Sequence, residues 1–115
     1  MQPIEKQKVQ ELLKQFVNQD LYIHLETTNG AYATHRDASF FNAGAFIRNA
    51  KIRYEIGTIA GDGPFRVGLK MDSGWVYGEG LTHFELDEKG RLLMAGLDHQ
   101  GRLAIAFELS KTPFE

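Results

Sequence analysis

The residues whose types and spacing come closest to a chemical site lie early in the chain, around Asn29-Gly30. That pair stands between two apolar-alternating runs, residues 21–28 and 31–37, and Asn-Gly in such a setting is the strongest short signal for a type I′ hairpin turn. With Asn29 and Gly30 as the loop, Thr28 pairs with Ala31, Glu26 with Ala33, His24 with His35 and Tyr22 with Asp37. Directly opposed histidines have Cβ atoms about 4.5–5.5 Å apart. Both imidazoles then reach one ion, with Glu26 and Asp37 as third ligands or as acceptors behind them. The chemistry would be that of a metal-dependent enzyme in which the ion activates water. Two histidines are fewer than a catalytic zinc site uses, so a cross-strand polar pair on an exposed sheet face fits the same residues. His83 and Glu85 repeat the H-x-E spacing on another expected strand. The zinc deaminases also use H-x-E, but their cysteine ligands are missing from a chain with no cysteine, which excludes that reading.

A second candidate is a groove lined by Trp75, Tyr77 and Glu79, which alternate with Gly78 and Gly80 nearby. Glycines inside a strand mark close approach by a ligand or another backbone; core packing with a bend at a sheet corner is the plainer account of the same residues. Arg48, Lys51 and Arg53 suit an anion or, interleaved with Glu55, a solvated strand face. There is no P-loop, no G-x-G-x-x-G, no H-E-x-x-H and no G-x-S-x-G. Ser39, Ser73 and Ser110 look like turn or strand-end residues. No catalytic residue and no cofactor can be assigned from these patterns.

The elements that must position these groups are one helix and many short strands. In residues 3–18, Ile4, Val9, Leu12, Leu13, Phe16 and Val17 fall on one side at helical spacing, and Pro3 suits a first helical position. From Asp20 to Ser110 the chain reads as β. Strands are expected over 40–48 and 50–60, the latter with Ile52, Tyr54 and Ile56 on one face. Residues 64–81 hold the central hairpin. With Asp72-Ser73-Gly74 as a three-residue loop, Met71 faces Trp75, Leu69 faces Tyr77 and Val67 faces Glu79, which buries the only tryptophan against aliphatics. Leu86-Asp-Glu-Lys-Gly-Arg-Leu92 and Leu97-Asp-His-Gln-Gly-Arg-Leu103 share the pattern L-D-x-x-G-R-L, in which aspartate bonds its own turn and glycine accepts a positive φ. About eight strands with one N-terminal helix imply a mainly β, single-domain antiparallel barrel or sandwich over residues 1–115.

The 115 residues suffice for one domain without disulfide or metal support. A net charge of −2 and a pI near 6.1 give no general attraction to phosphate backbones, which argues against nucleic acid. The polar start M-Q-P-I-E-K-Q-K-V is no signal peptide, and no run approaches the roughly 18 apolar residues of a membrane span. Cytoplasmic residence, with no membrane partner, is the expectation.

Five blocks carry a resemblance: Y-I-H-L-E-T-T-N-G-A-Y at 22–32, I-R-N-A-K-I at 47–52, G-P-F-R-V-G-L-K at 63–70, G-W-V-Y-G-E-G-L-T at 74–82 and R-L-L-M-A-G at 91–96. Together they resemble the YojF family of small bacterial proteins. That resemblance implies an all-β domain with an N-terminal helix, a homodimer, and a bacterial source among spore-formers in which the gene often lies beside a bacillithiol-type N-deacetylase. It brings no established catalytic residues. Three functions stay open: an accessory or protein-interaction role with the deacetylase as partner, a metal-dependent enzyme using His24, His35 and Glu26, and a small-molecule or flavin-binding β-barrel.

Overall fold

Period-2 apolar patterning resolves into two antiparallel sheets that close over one side of a helix. The computed structural model describes residues 1–29 and 43–115. In chain order the elements are β1 (Gln2–Pro3), α1 (Lys6–Gln15), β2 (Leu21–Asn29), β3 (Ala43–Ile52), β4 (Ile56–Ala60), β5 (Phe65–Met71), β6 (Gly74–Leu81), β7 (His83–Leu86), β8 (Leu92–Leu97) and β9 (Leu103–Ser110). One sheet has the order β1-β7-β8-β9-β2-β3 and the other β4-β5-β6. Leu21, Ile23, Met94, Phe107 and Leu109 from the larger sheet meet Val67 and Leu69 from the smaller, and Val9 and Leu13 of α1 join the same core. The strands around this core hide one row of alternate side chains, as a two-layer β fold requires, whereas β1 and the first half of β3 are exposed on both faces. Among the described residues the strand pairing does not run from one sheet into the other, so the arrangement is sandwich-like and the barrel half of the expectation gives way.

The helix is shorter than its apolar stripe. Pro3 lies in β1, paired with His83, and Glu5 is the N-cap. The stripe itself is buried as expected, through Val9, Leu12, Leu13 and Phe16. Two side-chain links lock it in place: the Tyr54 hydroxyl donates to the Leu13 carbonyl at 2.6 Å, and Gln10 reaches the outer edge of β4. There the Gln10 amide donates to the Gly57 carbonyl at 2.8 Å and accepts from the Ile59 N–H at 3.1 Å. One side chain does for β4 what a neighbouring strand would do.

Three register expectations are corrected. In the central hairpin Met71 pairs with Gly74, Lys70 with Trp75, Leu69 with Val76 and Gly68 with Tyr77. The loop is therefore Asp72-Ser73 alone, and a slip of one residue turns every side chain to the other face. Trp75 and Tyr77 consequently lie 47% and 45% exposed on the outer face, not in the core. Between β3 and β4 the chain leaves the ladder at 53–55 and crosses to the second sheet, so Tyr54 is buried while Ile56 is exposed. The third correction concerns β2. Gly30 and the segment 31–37 lie outside the described residues, and β2 pairs with β3 along its length and with β9 from Tyr22 to Thr27. A strand has two edges, so the partners of His24 are Arg48 and Glu108 where His35 was expected.

Candidate functional site

His24 is buried on the outer face of the larger sheet, one strand from Glu108 and one from Arg48. Its Nδ1 lies 3.2 Å from Arg48 Nη1 and its Nε2 3.2 Å from Glu26 Oε1. Guanidinium only donates, so Nδ1 is the acceptor and Nε2 carries the proton that Glu26 accepts. A carboxylate-oriented imidazole is half of an acid–base device. The lone pair that a general base would use is here held by Arg48. Burial pushes the Glu108 carboxyl up, and the nearby guanidinium groups of Arg91 and Arg48 offset part of that shift.

Of the expected metal ligands, the structure brings His24 and Glu26 together, and His35 lies outside the described residues. His83 does not converge with them. It is on β7, three strands from β2, a separation of about 14 Å at the usual strand spacing, and its Nδ1 pairs with the Thr82 hydroxyl at 2.7 Å. Among the described residues no group of three or more His, Asp or Glu side chains is placed to hold a metal ion.

The second candidate has a different geometry from the one expected. The Trp75 and Tyr77 rings are parallel within 5°, their centroids 5.4 Å apart, and the Arg66 guanidinium carbon stands 4.0 Å from the Tyr77 ring centroid. Arg66 also pairs with Glu79 at 3.2 Å. Gly68 makes room for this column, because a Cβ there would come within 2.7 Å of Tyr77. Tyr77 and Glu79 line an open cleft of about 600 Å³ where β6 adjoins the larger sheet, together with Thr27, Gly44, Gly80 and Ile105; Trp75 stands outside it. Arg48 is tied into the His24 network, while Lys51 and Arg53 pair with Asp20 at 3.8 and 3.2 Å. None of the three is arranged with the others around an anion.

Sequence reasoning missed the strand edge next to these groups. β3 is ten residues long and lies at the border of its sheet, with Gly44 to Arg48 exposed on both faces. Phe46 and Ile47 are 68% and 40% exposed. Among the described residues no strand pairs with its outer side. The signal available was the uncharged run Ala43-Gly-Ala-Phe-Ile47, which alternates too weakly to mark a buried face. No helix among the described residues is long and apolar enough to cross a membrane.

Comparison with known proteins is consistent across sequence and structure. A family model described as a protein of unknown function (DUF1806) matches residues 3–114. The uncharacterized protein YojF of Bacillus subtilis (strain 168) is 47% identical over 114 residues, covering 99% of this chain and 98% of that one. The crystal structure of the Bacillus subtilis YojF protein matches with a TM-score of 0.83 at 45% identity, over 99% of this chain and 96% of that chain.

Proposed function

The chain belongs to the DUF1806 family, and from that premise we propose that it is a non-enzymatic interaction protein that works in the cytoplasm as a homodimer and as an accessory to a protein partner. The observation that carries this reading is the outer edge of β3. Among the described residues no strand pairs with this edge; a long edge with unpaired N–H and C=O groups is a template for another strand, and proteins that do not use such edges shorten, charge or cover them. The other edges illustrate the contrast. β1 has two residues, β4 is covered by Gln10, and β6 lies against β8 and β9. On β3 the charges Arg48 and Lys51 fall in the second half, leaving Ala43 to Ile47 uncharged.

A second copy suits this edge because an antiparallel pair about a two-fold axis is self-complementary. An axis through Ala45 sets Phe46 opposite Gly44 of the other copy, an aromatic over a glycine. Light scattering during gel filtration tests it: the native chain is expected to elute as a dimer and Phe46→Glu with Ile47→Lys as a folded monomer. A monomeric native chain at high micromolar concentration would overturn the reading. The accessory role is tested by gentle co-purification from the native host, with the bacillithiol-type N-deacetylase as the expected companion. Recovery of the chain without any partner counts against it.

The alternative, a small-molecule or flavin-binding protein, draws support from the cleft beside Tyr77 and Glu79. The absorption spectrum of concentrated native protein decides for flavin, since a bound isoalloxazine is yellow.

A further inference from the structure

The segment that follows β9 is held on the outer face of the larger sheet almost entirely by side chains. The Phe114 N–H donates to Asn49 Oδ1 at 2.7 Å, and Asn49 Nδ2 donates back to the Phe114 carbonyl at 2.7 Å. Arg48 donates to the Glu115 carbonyl. The Phe114 ring is buried, with the Arg48 and Arg91 guanidinium carbons 5.6 and 5.7 Å from its centroid and the His24 ring 6.1 Å away. Two cations against one ring select an electron-rich aromatic, and the two-point amide clamp selects an extended backbone, as a neighbouring strand would.

The clamp is built at a cost in backbone conformation. Ile23 pairs with Ala50 and His24 with Arg48, so Asn49 is the extra residue of a β-bulge, and its φ is +58°. Bulges re-aim side chains, and a positive φ at a residue other than glycine is an unfavourable conformation that the surroundings must impose. Here both features aim one amide at the N–H and C=O of one residue, Phe114. Among the described residues no strand pairs with the bound segment, and a segment without a ladder is among the parts of a fold that open most readily.

We propose that this seat is a recognition site for an extended peptide anchored by an aromatic residue, presented by a partner protein, and that residues 112–115 are the occupant the chain supplies to itself. The site uses β3 side chains and not its hydrogen-bonding edge, so its failure leaves the dimer reading standing. The probe is the labelled hexapeptide Ser-Lys-Thr-Pro-Phe-Glu, with fluorescence polarisation against the full chain and a chain ending at Lys111. The shortened chain is expected to bind it, and the full chain about tenfold more weakly or less, because its own segment competes at high effective concentration. Replacing phenylalanine by alanine in the peptide, or Asn49→Gly in the shortened chain, is expected to abolish binding; glycine keeps the positive φ and removes the clamp. Absence of binding to a folded shortened chain, or equal binding of the alanine peptide, overturns the proposal. If the shortened chain does not fold alone, added peptide is expected to restore a cooperative melt, and failure to do so overturns it as well.

Discussion

Gly78 and Tyr54 show how single residues set this structure. A Cβ on Gly78 would fall on the Phe107 ring, and one on Gly96 on the Gly80 carbonyl oxygen. The sheets meet this closely because those two positions carry no side chain. Gly78→Ala is expected to destabilise by about 1–3 kcal/mol, the usual cost of overpacking, and Gly96→Ala by more, since its neighbour is backbone and cannot rotate away. Urea melts of the two variants check the order. Tyr54 is buried and donates to Leu13, and burial pushes its phenol well above the ordinary range. The unfolded chain loses that proton near pH 10 while the folded chain keeps it, so stability falls as pH rises above about 10. Tyr54→Phe is expected to cost about 1 kcal/mol at neutral pH and to remove that part of the alkaline decline, read from thermal midpoints between pH 8 and 11.

At the scale of elements, the paired L-D-x-x-G-R-L turns are the clearest case of local chemistry deciding local structure. Asp87 Oδ1 accepts from the N–H groups of Lys89 and Arg91, and Asp98 Oδ1 from those of Gln100 and Arg102. Arg91 and Arg102 bond the second carboxylate oxygens at 2.6 and 3.2 Å. Burial pushes the Asp87 carboxyl up, but the hydrogen bonds from Arg91 and Lys89 outweigh it and leave the group below its usual value; at Asp98 the Arg102 N–H leads in the same direction. A lowered folded pKa gives stability that is present above the unfolded carboxylate range and lost as pH falls through the folded value. The double variant Asp87→Asn, Asp98→Asn is expected to be less stable at pH 7 and to lose less stability on acidification. Chemical melts at pH 7 and pH 3 measure both. The same scale explains why β4 is a quiet edge and β3 is not: Gln10 covers the first.

For the whole molecule, α1 and both sheets contribute to one set of buried side chains, which predicts a single unfolding transition with coincident far-UV dichroism and fluorescence curves. Separate midpoints would show that the smaller sheet with its exposed Trp75 unfolds on its own. Much of this was legible in residue order. The helix stripe at Val9, Leu12, Leu13 and Phe16, the alternation of Leu103, Ile105, Phe107 and Leu109, and the twin Asp-Gly-Arg turns are set by neighbours within a few positions, and interactions of that range are written in the chain itself. Register and partnership were not, because a strand's period of two looks the same whichever way a turn is counted. One residue in the turn at Asp72-Ser73 decided that Trp75 faces outward. The partners of His24 were decided by which strands flank β2, a choice among segments far apart in sequence, and only the packed sheets settle it.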